Sequence, residues 1–239
     1  MTSAPSNSGL PSHVDMFVFS TGALDTNCYV LIDRSQDHAG KPAPATVIDP
    51  GHGAFDAMTR AAQERDFAVE KIVLTHGHID HMRDAARFEV PVFVHAADRG
   101  MVVDPSILPV GLDQIFAVDQ MSPIGDLRDL PMTEATSGPG KGLPHVDIAG
   151  ISFEIHHMPG HSPGSVMYRI PGLIVGGDVL FRGGVGRTDL PLSNPQDMMT
   201  SLSRITQLFD HQDTVLPGHG PQTTIGHEVA SNPFLHAVN

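Results

Sequence analysis

Thr75-His76-Gly77-His78-Ile79-Asp80-His81 directly follows the apolar run Lys71-Ile72-Val73-Leu74 in the sequence. The apolar run predicts a buried strand, and the stretch after it places four groups that can bind a metal within six residues. A polar turn that caps a following helix would account for one histidine at such a position. Three histidines and one aspartate at this density indicate a metal site instead.

The order of these residues indicates how one loop could serve two ions. On a regular strand His76 and His78 would share one face, and His81 would lie on the opposite face. Because Gly77 lets the chain turn where the strand ends, the first two histidines can face one ion while Asp80 and His81 reach a second. Imidazole suits zinc, and a carboxylate suits a divalent ion that keeps a position open for water.

The size and composition of the chain limit what it can be. It has 239 residues, enough for one large domain or two small ones with a buried core. Although 40% of the residues are apolar, no run is long enough to cross a bilayer, so we predict no membrane association. Residues 1–12 lack a basic start and an apolar core, which predicts a disordered leader rather than a secretion signal. We expect a single domain over residues 13–239.

Cysteine usage and charge indicate the compartment and the class of partner. Cys28 is the only cysteine, which excludes an internal disulfide; we interpret it as a buried, inert thiol and predict a cytoplasmic protein. The 14 basic and 27 acidic residues give a formal net charge of −13. Because an acidic surface repels nucleic acid, we expect a small-molecule substrate and no nucleic-acid partner, and we predict no particular oligomeric state.

Apolar strands alternate with helical patterns along most of the chain, which predicts α/β layering. Strands are predicted at residues 14–20, 27–33, 45–49, 71–74, 91–95, 151–156, 166–170, 173–175 and 214–216, and helices at 55–66, 81–88 and from Asn194-Pro195 onward. Residues 96–146 interrupt this pattern with six prolines and several glycines. They predict an irregular insertion with at most short helices, which either covers the site or is a solvated segment without a role.

Four predicted strands end in loops that are rich in glycine or proline and carry histidine or aspartate. Besides the loop of residues 76–81, these loops carry His161, Asp178 and His219. Each of the three alone would be interpreted as an ordinary turn residue. Their recurrence at strand ends, where a rigid sheet positions loop side chains, predicts that they meet in one site.

Together these motifs resemble those of the metallo-β-lactamase superfamily of hydrolases, over about residues 16–235. Its five motifs correspond to Asp49, the loop with His76, His78, Asp80 and His81, then His161, Asp178 and His219. The resemblance implies a four-layer αββα sandwich, with two mixed β-sheets flanked by helices and the site at one edge of the sheets. It also implies two divalent ions. One would be held by His76, His78 and His161, the other by Asp80, His81 and His219, with Asp178 bridging them.

Within the superfamily the chain resembles glyoxalase II-type enzymes more closely, because they carry aspartate at the position of Asp178, where lactamases with antibiotic activity usually carry cysteine. Three stretches resemble the short bacterial branch of those enzymes, namely residues 186–190, 216–220 and 232–235. The longer hydroxyacylglutathione hydrolases bind glutathione through a helical C-terminal domain, whereas this sequence extends 20 residues beyond His219. We therefore transfer no glutathione-binding residue, and the thiol of the substrate stays open.

The resemblance implies hydrolysis of a thioester, such as S-lactoylglutathione or another S-2-hydroxyacyl thiol, by water activated between the two ions. Zinc is expected, with iron and manganese as alternatives. Asp80 would also act as a catalytic residue by orienting the attacking water. Arg187 would either bind a substrate carboxylate or form a structural ion pair with Asp189.

The main alternative is an iron-dependent persulfide dioxygenase on the same scaffold, which would use His76, His161 and Asp178 for one iron. Lactonase and phosphodiesterase activities are further alternatives within the superfamily. A non-catalytic scaffold is disfavoured, because such a protein would be expected to lose some of the seven ligand positions and this sequence keeps all of them. The metal content and the presence or absence of oxygen uptake distinguish the hydrolase from the dioxygenase.

Overall fold

The computed structural model describes residues 9–35, 40–104, 111–132 and 142–238. Residues 1–8 of the predicted leader lie outside these ranges, as do residues 105–110 and 133–141 of the predicted insertion. The last four residues of the predicted leader are described, and Leu10 among them packs against the apolar cluster between the two sheets.

Two six-stranded sheets form the centre of the described structure. The first contains, in spatial order, β1 (Val14–Thr21), β2 (Thr26–Asp33), β3 (Ala43–Ile48), β4 (Phe67–Val73), β5 (Val92–Val94) and β6 (Leu127–Asp129). The second has the spatial order β14 (Thr223–Thr224), β13 (Thr214–Pro217), β10 (Leu173–Gly177), β9 (Val166–Ile170), β8 (Ile151–His157) and β7 (His145–Ile148). A short ribbon pairs β11 (Leu180–Phe181) with β12 (Gly184–Val185). Both large sheets are mixed, since each contains parallel and antiparallel neighbours.

The helices lie on the outer faces of the two sheets or in the connecting segments. They are α1 (Ala54–Arg65), α2 (Ile79–Met82), α3 (Arg99–Val103), α4 (Leu112–Ile115), α5 (Pro195–Leu208), α6 (Ile225–Ser231) and α7 (Pro233–His236), with 3-10 helices at Ala85–Phe88, Ala96–Asp98 and Val118–Gln120. Helix α5 begins as the sequence predicts, because the Asn194 side chain accepts hydrogen bonds from the backbone N–H groups of Gln196 and Asp197.

Three apolar clusters separate four layers, which confirms the αββα sandwich. Successive strand residues point to opposite faces of a sheet, so one strand serves two clusters. On β2, Val30 packs towards helix α1 while Leu31 packs between the sheets. On β10, Val175 packs between the sheets while Ile174 packs towards helices α5, α6 and α7. Both sheets are therefore buried on both faces.

The predicted insertion contains more regular structure than expected. Strand β6 extends the first sheet by pairing in parallel with β5, and β7 begins the second sheet at His145. The expectation of at most short helices was therefore wrong for residues 127–129. Two of the three residues of β6 are charged and mostly exposed, so the strand forms by backbone pairing and carries no apolar pattern.

The sheet topology brings the predicted site loops to one edge. Strands β8, β10 and β13 run in the same direction, so the loops that follow them leave the second sheet on the same side. The loop after β4 joins them, because the Val166 backbone N–H donates to the carbonyl of Thr75. All four loops that carry the predicted ligands therefore lie at one edge of the sandwich.

Both tyrosines of the chain tie the two sheets together beside these loops. The Tyr29 hydroxyl on β2 donates to the Pro217 carbonyl on β13 at 2.7 Å, and the Tyr168 hydroxyl on β9 donates to the Leu74 carbonyl at 2.6 Å. Burial raises the pKa of both phenols above the usual range, so the hydroxyls keep their protons and act as donors. The accepting carbonyls lie immediately before the loops with His76 and His219.

None of the helices in the described ranges has the length and apolar composition that crossing a membrane requires.

Replacing Tyr168 by phenylalanine should lower the free energy of unfolding by about 1–2 kcal/mol, because the buried Leu74 carbonyl loses its donor. Urea denaturation in the presence of a chelator, with the slope of the transition unchanged, measures this without a contribution from metal binding. A variant as stable as the parent protein would show that the hydrogen bond between the sheets does not stabilise the fold.

Candidate metal centre

Asp49 organises the loop after β4 from the end of the neighbouring strand β3. Its Oδ1 accepts from the Thr75 backbone N–H at 2.8 Å, and its Oδ2 accepts from the Thr75 hydroxyl at 2.6 Å. Oδ2 also lies 2.9 Å from His81 Nδ1, which must donate to a carboxylate. The His81 ring is therefore held with Nε2 directed away from Asp49, as is usual for a histidine that binds a metal.

Three further histidines have one ring nitrogen engaged with a protein acceptor. His161 Nδ1 donates to the Arg187 carbonyl at 2.8 Å, and His219 Nδ1 donates to the Leu24 carbonyl at 2.9 Å. His76 Nδ1 lies 3.1 Å from the Thr75 hydroxyl, which already donates to Asp49 and so must accept here. In each ring the second nitrogen, Nε2, is directed away from that partner and offers a lone pair whenever the ring is neutral.

These lone pairs converge. The ligand atoms of His76, His78 and His161 lie within 4.8 Å of one another, and so do those of Asp80, His81 and His219. A third group of the same dimensions, formed by His76, His81 and Asp178, lies across the first two. The structure thus brings all seven residues of the predicted ligand set together.

Asp178 lies between the two triads. Its Oδ2 is 3.4 Å from His161 Nε2 in one triad and 3.5 Å from His219 Nε2 in the other. Its Oδ1 is 3.4 Å from His81 Nε2. One carboxylate therefore faces both triads, which is the position that a bridging ligand needs.

The donor set fits divalent cations. Among the described residues, His76 Nε2 and Asp178 Oδ1 are buried and have no hydrogen-bond partner. A buried polar atom without a partner costs about 1–3 kcal/mol, so two such atoms at the centre of a cluster need an explanation. Imidazole nitrogens and carboxylate oxygens that share a small volume are typical ligands of zinc and of other first-row divalent ions.

Burial and neighbouring charges shift the pKa values of the histidines in two opposite directions. Burial lowers the pKa of His76 well below its usual range and that of His78 to about 3, with neighbouring histidines adding to the effect, so both rings are neutral. Burial also lowers the pKa of His219, but hydrogen bonds to Asp178 and Asp80 outweigh it and raise it to about 10. Burial also lowers the pKa of His81, but the negative charges of Asp178, Asp80 and Asp49 outweigh it and raise that pKa well above its usual range. The acidic side of the cluster therefore attracts positive charge.

Asp98 is a residue of this site that the sequence analysis missed. It is buried, and its Oδ2 accepts from the Gly77 backbone N–H at 2.8 Å and from the Ser162 hydroxyl at 2.6 Å. Its Oδ1 accepts from the Gly164 backbone N–H. One carboxylate thus fastens the loop with His76 and His78 to the loop with His161. Its place just after the end of β5 was the only signal that the sequence offered.

Arg187 and His95 do not belong to the seven. Arg187 lies beside the site, where its backbone carbonyl accepts from His161 and its guanidinium makes two 2.9 Å hydrogen bonds to Asp189. His95 belongs to none of the three candidate metal groups and instead stacks on His157, with ring centroids 4.2 Å apart.

A cavity of about 410 Å³ opens directly above the cluster. Five of the candidate ligands form its floor, namely His78, Asp80, His161, Asp178 and His219. Among the described residues that line it, none is a serine, threonine, cysteine, lysine or tyrosine. The lone cysteine, Cys28, is fully buried elsewhere, and burial raises the pKa of its thiol, which agrees with an inert side chain.

Comparison with known proteins places these features in a family. The model of the metallo-β-lactamase superfamily matches residues 21–219. An uncharacterized protein of Mycobacterium tuberculosis, Rv2581c, is 35% identical over 92% of this chain and 97% of its own length. The probable metallo-hydrolase YqgX of Bacillus subtilis is 31% identical over 91% of this chain and 96% of its own. The hydroxyacylglutathione hydrolase GloC of Haemophilus influenzae is 28% identical, over 90% and 95% of the two chains.

Solved structures show the same fold. The B3 metallo-β-lactamase BLEG-1 superposes with a TM-score of 0.71 at 30% identity, covering 92% of this chain and 99% of that chain. TTHA1623, solved in a di-iron-bound form, superposes with a TM-score of 0.67 at 32% identity, covering 91% and 99%. These solved structures thus share the architecture, while the names of the similar proteins indicate different substrates and different metals.

Replacing Asp98 by asparagine should weaken metal binding about 10- to 100-fold, because an amide nitrogen would face one of the three donors that the carboxylate now accepts. Chelator competition with purified protein measures the affinity. Asp113→Asn, an exposed aspartate on helix α4 in the same segment, is the matched control and should bind metal as the parent does. Equal affinities for both variants would contradict the supporting role of Asp98.

Gly218→Ala should displace the bridging carboxylate, since a Cβ on Gly218 would lie 2.0 Å from Asp178 Oδ1 and 2.6 Å from His81 Cε1. We expect elemental analysis to find less bound metal per chain than in the parent. Gly100→Ala is the control, because nothing lies within 4 Å of a Cβ at that helical position. Unchanged metal content in Gly218→Ala would show that metal binding does not need Asp178 in its present position.

Proposed function

The chain belongs to the metallo-β-lactamase superfamily, and we propose that within it the protein is a metal-dependent hydrolase of thioesters. The observation that carries the proposal is the composition of the cavity. It places two triads of candidate ligands at its floor, and among its described lining residues it offers no serine, cysteine or lysine nucleophile. The attacking group is therefore water.

We assign one divalent ion to His76, His78 and His161, and a second to Asp80, His81 and His219, with Asp178 between them. When bound, two such ions would lower the pKa of a shared water and polarise the substrate carbonyl. Their identity is proposed to be zinc. Iron is the main alternative, since a relative of 32% identity has been solved in a di-iron-bound form.

Asp80 is proposed as the residue that orients the attacking water. Its carboxylate lines the cavity floor, and its Oδ2 accepts from the Thr26 hydroxyl at 3.3 Å, which holds the side chain in place. Burial raises its pKa, but the charge of His81 and a hydrogen bond with His219 outweigh this and lower it. The carboxylate is thus ionised and able to accept a hydrogen bond from water.

The described lining residues other than the candidate ligands include no proton donor, and this favours a thioester over an amide or an ordinary ester. Apart from the candidate ligands, the titratable side chains among the described lining residues are Asp104 and Arg187. A guanidinium does not give up its proton, and an exposed carboxylate has none to give at neutral pH. A thiolate leaves without being protonated, because the pKa of a thiol is modest compared with that of an alcohol or amine. The likeness to GloC, at 28% identity, supports the same substrate class.

The convergence of Asp80, His81 and His219 into a second triad weighs against the persulfide dioxygenase alternative. One iron would need only His76, His161 and Asp178, and the second triad would then bind no ion. Elemental analysis combined with thioester hydrolysis and oxygen uptake tests the choice. Two ions per chain and hydrolysis without oxygen uptake are expected, whereas one iron with persulfide-dependent oxygen consumption would replace the hydrolase proposal.

Asp178→Ala should bind less metal and lower kcat/KM for thioesters by roughly 10³-fold or more, because losing one electrostatic stabiliser alone costs about 10²–10³. Circular dichroism should show the fold retained. His95→Ala is the control: His95 lies in none of the candidate metal groups, so metal content and turnover should match those of the parent. Normal turnover by Asp178→Ala with both metals bound would refute the assignment.

A further inference from the structure

The walls of the cavity differ from its floor. Above the candidate ligands they are formed largely by apolar side chains that come from three separate parts of the chain. These are the β1–β2 turn, the segment after β5 and the segment that follows β10, and the side chains are Leu24, Met101, Leu112, Phe181, Leu190 and Pro191. A substrate that reaches the floor must therefore pass and contact an apolar surface.

Part of this apolar surface is open to water. Leu24 is 45% exposed at the cavity, and its backbone carbonyl accepts from His219 Nδ1, so the side chain lies beside a candidate ligand. The Phe181 ring lies edge-on to the His219 ring, with centroids 6.0 Å apart. Exposed apolar side chains gathered around a concave site are typical of surfaces that bind an apolar ligand group.

The walls offer little attraction for an anionic substrate. Apart from the candidate histidine ligands, Arg187 is the basic side chain among the described lining residues, and its Nε and Nη2 donate to the two carboxylate oxygens of Asp189 at 2.9 Å. Such an exposed pair contributes little stability, but it places a compensating negative charge against the cation. A second carboxylate, that of Asp104, also lines the cavity, and the whole chain carries a net charge of −13.

From these observations we infer that the substrate is an uncharged thioester with an aliphatic acyl chain, in place of a hydroxyacyl conjugate of an anionic thiol such as glutathione. The inference rests on the proposed thioesterase function. The reacting carbonyl would lie at the floor, the acyl chain would contact the apolar walls, and water would divide the thioester into a carboxylic acid and a thiol. A volume of about 410 Å³ accommodates a chain of several carbons.

A series of acetyl, butyryl and hexanoyl thioesters of N-acetylcysteamine, an uncharged thiol, tests the inference with the metal-loaded protein. We expect kcat/KM to rise roughly fourfold per added methylene, which is the gain from burying one methylene group. S-lactoylglutathione, which carries two carboxylates, should be at least about tenfold poorer than the hexanoyl thioester. A series that is flat or falls with chain length, or a preference for S-lactoylglutathione, would overturn the inference.

Two leucines on one loop provide matched variants. Leu190 lines the cavity, whereas Leu192 lies two residues further on, is 54% exposed and is not part of the lining. Leu190→Ser should lower the hexanoyl-to-acetyl ratio of kcat/KM by roughly fivefold, and Leu192→Ser should leave that ratio unchanged. An equal effect of both substitutions, or none from Leu190→Ser, would show that the apolar wall does not bind the acyl chain.

Asp189→Asn tests the role of charge. It would release the Arg187 guanidinium from its carboxylate and should raise kcat/KM for S-lactoylglutathione, relative to the acetyl thioester, roughly two- to fivefold. An unchanged ratio would show that the ion pair does not set the preference for uncharged substrates.

A binding measurement separates failure of this inference from failure of the proposed function. S-hexyl-N-acetylcysteamine is a thioether that cannot be hydrolysed, and calorimetry should show that it binds with a negative heat-capacity change and more tightly than S-hexylglutathione. Binding without hydrolysis of any thioester would overturn the thioesterase function and keep the apolar preference of the cavity. Weaker binding of the uncharged thioether than of S-hexylglutathione would overturn the inference whatever the activity.

Discussion

A buried imidazole presents a lone pair in a fixed direction only when its other nitrogen donates to the protein, and this requirement shapes the centre of the molecule. His81 donates to Asp49, His161 to the Arg187 carbonyl and His219 to the Leu24 carbonyl. The acceptors come from the residue after β3, from the segment after β12 and from the β1–β2 turn. The ligand loops can therefore point inward only because distant parts of the chain supply oxygen atoms behind them.

The packing of the sandwich leaves these oxygen atoms little freedom to move. Strands buried on both faces define where each loop begins, and the two tyrosine hydroxyls join the sheets immediately before the loops with His76 and His219. At Gly218 the backbone approaches Asp178 so closely that no side chain fits between them. The histidine nitrogens and carboxylates of the cluster would otherwise repel one another. Packing, hydrogen bonding and the lack of a Cβ at Gly218 together hold them in place.

Local patterns in the sequence predicted that the histidine and aspartate loops meet at one place and that strands alternate with helices, whereas the αββα order was implied by the resemblance to the superfamily. An apolar run followed by glycine and histidine marks a strand end, and the same signal recurs before His161, Asp178 and His219. It did not predict strand β6, whose charged residues pair only through the backbone, nor Asp98, whose partners lie 21 to 66 residues away. Such roles follow from topology, because a single aspartate after a strand does not indicate which loops will pack against it.

The segment after β5 combines two tasks within a few residues. Asp98 at its start fastens two ligand loops, and Met101 one helical turn later, with Leu112 beyond it, forms part of the cavity wall. Asp98 and the wall-forming residues are different side chains, so the wall can change in evolution while Asp98 is retained. Substitutions in the part beyond Asp98 would therefore change the cavity wall and leave in place the contacts by which Asp98 joins the two loops beneath it.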